Sequence, residues 1–284
     1  MSTRSLRLSD GRELVWDEHG PADGIPVVYL HGAPSCRVMG RGLASAAAGT
    51  GVRLIVPDRP GCGLSTFLPD RRIIDWPADV SALAEHLGLD RYRVVGTSGG
   101  GPYALACAAA GDPGVVRTAV VCGVGPLDGP QRIAGLHEVN RAVFAAATEG
   151  IDALTPIVER LVAGGAAAAV PGDLLPREDR ENIAAHPELA ADAAAMLRAA
   201  TVHGLHGVVH DTWLLVRPWG FELSEVGGPV DFYAGDHDRN VPLQHVVDQA
   251  AAVPGSTLTV WPGSGHSHAL TRLPEVLRRI CAEP

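Results

Sequence analysis

The sequence predicts an α/β fold with a parallel sheet and a helical segment inserted between two of its strands. From residue 26 to 123, short apolar runs typical of strands buried on both faces alternate with stretches of helical spacing. Between residues 125 and 227 alanine-rich helical stretches replace these runs, and the alternation resumes at residue 229. Strands that alternate with helices indicate βαβ units, so the sheet is predicted to be parallel and the helical segment to be an insertion.

The individual strands and helices are placed by apolar runs and by the residues that begin and end them. A hairpin is predicted to turn at Asp10-Gly11, and Asp75 is the expected N-cap of a helix that ends at Gly88. Strands are predicted at residues 5–8, 13–19, 26–30, 52–56, 92–96, 115–122, 229–234 and 256–261. Helices are predicted at residues 38–48, 75–87, 99–111, 132–148, 152–162, 178–185, 187–201, 205–215, 243–253 and 273–281.

The composition fits a globular core and argues against several classes of function. The 284 residues are 46% hydrophobic and 19% charged, which is enough to bury a sizeable core. A net charge of −9 argues against nucleic acid as a partner. All 23 basic residues are arginine, so the chain has no lysine for a pyridoxal phosphate Schiff base or for a phosphate-binding P-loop.

The cysteines and the N-terminal residues predict a cytoplasmic protein. An odd number of cysteines without a C-x-x-C pair indicates free thiols rather than a disulfide framework or a zinc site. The cysteines are Cys36, Cys62, Cys107, Cys122 and Cys281. The first ten residues lack the apolar segment of a signal peptide, and the longest uncharged run, 94–111, holds a glycine-rich turn and would span a membrane poorly. We therefore expect no membrane partner.

A candidate nucleophile lies in the turn between a predicted buried strand and the helix after it. Gly96, Ser98 and Gly100 form the pattern G-x-S-x-G. On so sharp a turn the serine backbone is strained, and its neighbours two residues away must be small because strand and helix nearly touch. The start of the helix directs free N–H groups to the space where an oxyanion would develop. A glycine-rich turn with an ordinary hydrogen-bonding serine is the alternative.

A serine nucleophile needs a base, and the base needs an acid that orients it. His266 is the preferred base because it follows the last predicted strand, at the sheet edge where the Ser98 turn also lies. His268 is its main rival, whereas His31, at another strand end, is expected to brace its loop. The candidate acids also follow strands and are not separated by spacing alone, since aspartate is common in turns. They are Asp128, Asp236 and Asp238.

Four motifs together resemble those of the α/β-hydrolase superfamily, over nearly the whole chain. They are His31-Gly32-Ala33-Pro34, similar to an HG-x-P oxyanion loop; residues 58–65, similar to a D-x-x-G-x-G-x-S loop; the turn at Ser98, similar to the nucleophile elbow; and residues 235–242 with Gly265-His266, similar to the acid and histidine segments. The resemblance implies an α/β-hydrolase fold with an eight-stranded, mostly parallel sheet, helices on both faces and a helical cap after the sixth strand. The expected domains are a core of residues 1–124, a cap of residues 125–227 and the rest of the core, residues 228–284.

The resemblance also implies the roles of the site residues. Ser98 is the expected nucleophile, His266 the base and Asp238 the acid, with Asp236 as runner-up and Asp128 matching the acid position of a minority of relatives. The backbone N–H groups of Ala33 and Gly99 are the expected oxyanion hole. Candidate substrate contacts are His31, Trp213 and Trp219.

These residues predict a serine hydrolase that cleaves a small carboxylic ester or lactone through an acyl-enzyme. A serine nucleophile argues against the haloalkane dehalogenase and epoxide hydrolase branches, which need a carboxylate. The loop sequence HGAPS, in place of HGGPG, argues against a proline iminopeptidase. With the same triad, a C–C bond hydrolase, a cofactor-free perhydrolase or an acyltransferase remains an alternative. A ligand-binding protein or cyclase that reuses the fold without hydrolysis is a further one.

The expected partner is a small neutral or hydrophobic molecule, because the insertion is rich in alanine. We expect a monomer or homodimer, with neither cofactor nor metal. A metal is considered at one place, where helical spacing puts several possible ligands on one face of a helix. These are His203, His206, His210 and Asp211. A polar face or a pocket wall is the preferred interpretation of that cluster.

Overall fold

An eight-stranded sheet forms the centre of the computed structural model, which describes residues 3–127, 129–164 and 175–282. Its strands lie in the spatial order β1-β2-β4-β3-β5-β6-β7-β8. They are β1 (Arg4–Arg7), β2 (Glu13–His19), β3 (Ile25–Leu30), β4 (Val52–Pro57), β5 (Tyr92–Thr97), β6 (Val115–Val121), β7 (Val230–Gly235) and β8 (Thr257–Trp261). The pairs β1–β2 and β2–β4 are antiparallel and the others are parallel, which confirms the predicted fold class.

Helices cover both faces of this sheet. They are α1 (Gly40–Gly49), α2 (Trp76–His86), α3 (Gly101–Ala109), α4 (Pro130–Ala134), α5 (Glu138–Glu149), α6 (Ile151–Ala163), α7 (Arg177–Ala185), α8 (Pro187–Ala200), α9 (His206–Leu214), α10 (Leu243–Ala252), α11 (His268–Thr271) and α12 (Leu273–Cys281). Side chains alternate across β3: Val28 packs with α2, α3 and α10, and Val27 packs with α1 and α12. This alternation buries both faces of the parallel strands.

The helices α4 to α9 stand between β6 and β7 and are called the helical insertion below. Their apolar side chains form a separate cluster with residues that follow β3 and β4. Its buried members are Cys36, Val38, Cys62, Val143, Ala147, Leu154, Val158, Ala200, Val208 and Val209. No helix in the described ranges is both long and apolar enough to cross a membrane.

Two local expectations differ from the structure. The helix predicted over 132–148 is two helices, α4 and α5, because the backbone N–H of His137 donates to the Arg239 carbonyl at 2.8 Å instead of continuing a helix. Asp75 does stand before α2, but its carboxylate accepts from the Arg72 backbone N–H at 2.7 Å and makes no cap bond to α2. Asp128, one of the candidate acids, lies outside the described residues.

Candidate active site

Ser98 occupies the turn between β5 and α3 with a left-handed backbone, at φ 55°. The two glycines around it are required by close packing. A Cβ added to Gly96 would lie 2.3 Å from the carbonyl oxygen of Gly100, and one added to Gly100 would lie 2.1 Å from that of Leu30. Both distances are far too short for a carbon, so the G-x-S-x-G spacing follows from the approach of the helix to the strands.

His266 and Asp238 meet beside this turn, on the loops that follow β8 and β7. His266 Nδ1 lies 2.7 Å from Asp238 Oδ2. The other carboxylate oxygen accepts from the backbone N–H groups of Asn240 and Val241 at 2.9 and 2.8 Å. Those two bonds fix the carboxylate, which in turn orients the imidazole with its proton on Nδ1. The other ring nitrogen is then the one available as a base.

The rival side chains point elsewhere. Asp236 is exposed, whereas Asp238 is buried. His268 begins α11 and accepts from the backbone N–H of Gly265 at 3.1 Å. His237 pairs with Glu178 of α7 at 2.8 Å. Among the candidate bases and acids in the described residues, His266 and Asp238 are therefore the two that the structure brings together.

Charge determines the protonation behaviour of His266. Burial by itself lowers the pKa of a histidine, because the charged ring loses its water. The Asp238 carboxylate opposes this effect and holds the pKa of His266 well above its ordinary value. Such a group acts as a base above its raised pKa, where the ring is neutral.

Gly32 and Ala33 lie against the Ser98 turn. A Cβ added to Gly99 would be 3.1 Å from the Ala33 backbone nitrogen, and one added to Gly32 would be 3.4 Å from the Ser98 Cβ. The backbone nitrogens of Ala33 and Gly99 therefore belong to two segments packed together beside the serine. An oxyanion is stabilised where two backbone N–H groups beside a nucleophile are directed at it, so these two nitrogens remain the candidates for that role.

Ser98 and His266 line one cavity of about 280 Å³ between the sheet and the helical insertion. Most of its wall is apolar, and the larger part of the apolar residues comes from α5, α6, α8 and α9. The apolar lining residues include Met39, Val139, Val143, Phe144, Val158, Leu161, Val162, Met196, Leu197, Val208, Leu215 and Leu270. Asn140 and Asn240 add amide groups, and the described lining contains neither an aspartate nor a glutamate.

Three residues expected to contact substrate lie outside that lining. His31 is fully buried under its own loop, where its ring contacts the Gly32 carbonyl. Trp219 packs into the core beside Phe221, and Trp213 lies under the Arg217 guanidinium, 5.2 Å from it. The rings of Trp213 and Trp219 thus pack the end of the helical insertion onto the sheet domain. None of the three residues lines the cavity.

Cys122 is a member of the site that sequence reasoning missed. It follows β6, has a left-handed φ of 48° and is fully buried. Its Sγ lies within 4.8 Å of the ligand atoms of Asp238 and His266. Within the described parts of the chain, these three are the one group with spacing that could hold a metal. His206 and His210 instead meet the ring of Phe67 edge-on. The signal for Cys122 was its place at a strand end of the carboxyl edge.

A strained serine turn at the carboxyl edge of a mostly parallel sheet, opposite a carboxylate-bound histidine, defines the class of the α/β-hydrolases. The model of the alpha/beta hydrolase family matches residues 27–279, and the chain belongs to this family.

Similar proteins with curated names have different activities. A proline iminopeptidase from Neisseria gonorrhoeae is 33% identical over 110 residues, which cover 36% of this chain and 34% of that protein. The chain thus matches about a third of the length of that relative. The magnesium-chelatase 30 kDa subunit of Rhodobacter capsulatus is 32% identical over 254 residues, covering 84% of this chain and 80% of its own.

Solved structures share the whole architecture at low identity. The esterase RhEst1 from Rhodococcus sp. ECU1013 superposes with a TM-score of 0.70 at 22% identity, over 99% of this chain and 98% of its own. Agreement at this identity concerns the fold alone.

Proposed function

We propose that this protein is a serine hydrolase that cleaves a small neutral carboxylic ester or lactone through an acyl-enzyme on Ser98. The observation that carries the proposal is that Ser98, on its strained turn, and His266 line the same apolar cavity. Asp238 orients His266 at 2.7 Å. A hydroxyl becomes a useful nucleophile when an oriented imidazole accepts its proton.

In the proposed reaction, Ser98 Oγ attacks the substrate carbonyl carbon as His266 takes the hydroxyl proton. The backbone N–H groups of Ala33 and Gly99 stabilise the tetrahedral oxyanion. His266 then protonates the departing alcohol oxygen, which leaves an acyl group on Ser98. Water, activated by the neutral imidazole, releases the acid and restores the serine. Asp238 keeps the ring in the required tautomer and stabilises its charged form.

The helical insertion is proposed to act as a cap, residues 125–227, that determines the substrate. Its helices supply most of the apolar wall around Ser98. At about 280 Å³ the cavity lies at the small end of the roughly 300–1,000 Å³ common for ligand pockets. The proposed substrate therefore has short apolar groups on either side of its carbonyl.

A proline iminopeptidase is the second candidate, because relatives with that name match about a third of the chain. Such an enzyme must hold a charged free amine beside the scissile bond, and a buried ammonium needs a carboxylate partner. The described cavity lining offers none. This favours the ester or lactone over the peptide.

The proposal is tested by the intact mass of the protein after treatment with a fluorophosphonate, for the wild type and Ser98→Ala. One adduct on the wild type and none on the variant is expected. Turnover is then compared between a short-chain p-nitrophenyl ester, a small lactone and proline p-nitroanilide. Faster hydrolysis of the anilide would favour the iminopeptidase.

Other results would select the remaining alternatives. A labelled enzyme that hydrolyses none of the three substrates would direct the search to C–C bond hydrolysis, perhydrolysis or acyl transfer. An unlabelled wild type would contradict the hydrolase and favour a ligand-binding protein or cyclase.

A further inference from the structure

Arg59 is a buried cation that holds the loop carrying Gly32 and Ala33. It follows β4, and its side chain is 0% exposed. The guanidinium donates to the backbone carbonyl of His31 and, at 2.6 Å, to that of Gly32. The same guanidinium donates to the Asp211 carboxylate on α9 at 2.8 to 3.1 Å. One side chain thus connects the helical insertion to a loop of the sheet domain.

The Gly32 carbonyl is held from a second direction by His31, whose Nδ1 lies 2.9 Å away. Burial, assisted by the charge of Arg59, lowers the pKa of His31 to about 3, so the ring is neutral. With its proton on Nδ1, the ring donates to the Gly32 carbonyl, and Nε2 faces the Arg59 backbone N–H at 3.4 Å. Two donors therefore fix the direction of this carbonyl.

The direction of that carbonyl determines the direction of the Ala33 N–H. The Gly32–Ala33 peptide is trans, so its N–H points opposite to its carbonyl. With the carbonyl on Arg59, the N–H is turned away from the guanidinium. The Ala33 nitrogen packs against Gly99, beside Ser98. A carbonyl that accepts from a cation also polarises its peptide, which strengthens the N–H as a donor.

We propose that Arg59 is a positioning residue of the oxyanion hole and that Asp211 of the helical insertion holds it in place. The inference rests on the proposed function, since an oxyanion forms only if Ser98 attacks a carbonyl. By this inference, the packing of α9 against the sheet domain contributes to catalysis as well as to covering the cavity.

The Asp211 carboxylate is the anchor of the buried cluster. It also accepts from Arg71 at 2.9 Å and from the Tyr103 hydroxyl at 2.7 Å. Burial by itself would raise its pKa, but Arg59 and Arg71 hold it below the ordinary aspartate value, so Asp211 is ionised at neutral pH. Without this carboxylate two guanidinium groups would be buried without a counter-charge, and Arg59 would lose the group that holds it from the side of the helical insertion.

The test compares Arg59→Met, Asp211→Asn and the conservative Arg59→Lys with Arg37→Met as matched control. Arg37 is also a buried arginine, paired with Asp17 and Asp58, but it donates to neither loop carbonyl. The control measures what losing a buried ion pair does by itself. Thermal melting of all four variants checks that each is folded at the assay temperature.

The first readout is steady-state hydrolysis of the ester that the wild type cleaves best. A misplaced oxyanion donor lowers kcat by about 100-fold with little change in KM, because it acts in the transition state. We expect this loss in Arg59→Met and Asp211→Asn, a partial recovery in Arg59→Lys, and a kcat close to that of the wild type in Arg37→Met. Affinity for a trifluoromethyl ketone, which forms the tetrahedral adduct, should fall in parallel with kcat.

The second readout needs no turnover and separates this inference from the proposed function. The Ala33 amide proton should move upfield in the NMR spectrum of Arg59→Met and stay in place in Arg37→Met. An unmoved Ala33 amide, or equal losses of kcat in Arg59→Met and Arg37→Met, overturns the role of Arg59. A wild type that hydrolyses nothing overturns the hydrolase instead, and the Ala33 resonance still decides whether Arg59 orients the loop.

Discussion

Backbone strain at single residues marks the site. Ser98 and Cys122 both have left-handed φ angles, although neither is a glycine, and both follow neighbouring strands of the sheet. Such conformations persist only where the surroundings impose them, and they concentrate at functional sites. At Ser98 the strain comes from the approach of α3 to β3 and β5. At Cys122 it accompanies a thiol placed beside His266 and Asp238.

The first prediction at this scale concerns pH. Asp238 holds the pKa of His266 above its ordinary value of about 6.5, and the protonated ring cannot accept a proton. Activity should therefore be lost on acidification, with kcat/KM rising with pH through an inflection above that value. Asp238→Asn should move the inflection to lower pH and reduce kcat by about 10,000-fold.

Asp236→Asn is the matched control for this pH profile, because Asp236 belongs to the same loop but is exposed. Its profile should overlay that of the wild type. An unchanged inflection in Asp238→Asn, or a shift of equal size in Asp236→Asn, would contradict the proposed role of Asp238.

Helix α7 holds the loop of the candidate base. Its Asp179 accepts from the Ser267 backbone N–H and hydroxyl, both at 2.7 Å, and Asn182 donates to the same hydroxyl at 2.9 Å. A Cβ on Gly265 would lie 2.6 Å from the Asp179 carboxyl group. The helical insertion thus contacts the residues on both sides of His266. Its helices are therefore proposed to position His266 as well as to cover it.

The prediction at the element scale is that Asp179→Ala lowers both stability and kcat. Removing this buried acceptor from its partly buried donors costs about 1–3 kcal/mol, and the freed loop misplaces His266. Asp179→Asn keeps one acceptor oxygen and should retain most of the activity. Glu181→Gln, at an exposed position of the same helix, should change the free energy of unfolding by less than about 0.5 kcal/mol. Denaturant titration measures the effect on stability, and steady-state kinetics measure the effect on kcat. An Asp179→Ala enzyme with the stability and kcat of Glu181→Gln would contradict the positioning of His266 by α7.

The prediction at the scale of the whole molecule concerns its thiols. All five cysteines are free, four are buried, and Cys281 is intermediate in exposure. Burial raises the pKa of Cys36 to about 12 and also raises that of Cys107 and Cys122. In the native protein, Ellman's reagent should react with Cys281 at most. In the denatured protein it should react with all five thiols. The native Cys281→Ser variant should show no reactive thiol. Fewer than five reactive thiols in the denatured wild type would indicate a disulfide.

Local rules explain what could be predicted. The turn at Ser98 could be identified because the glycines that its packing requires lie within five consecutive residues, 96–100. His266 and Asp238 could be placed near it because the carboxyl ends of parallel strands meet at one edge. Their roles remain predictions, although their hydrogen bond distinguishes Asp238 from Asp236.

The remaining features depend on contacts between distant segments, which no spacing records. The bond from His137 to Arg239 ends a helix that propensity alone would continue. Trp213 and Trp219 were placed at the substrate by their residue type, but they pack the insertion onto the core. The pair Arg59 and Asp211 left no sequence signal, because a buried arginine and an exposed one look alike in the sequence.

The helical insertion separates the halves of the site along the chain, with Ser98 before it and Asp238 and His266 after it. During translation the turn with Ser98 leaves the ribosome before His266, which emerges only after the helical insertion, β7 and β8 have been made. The strands that precede the acid and the base, β7 and β8, can join the sheet only then. By the proposed assignment, a nascent chain that still lacks β7 and β8 has the serine without its base and is inactive.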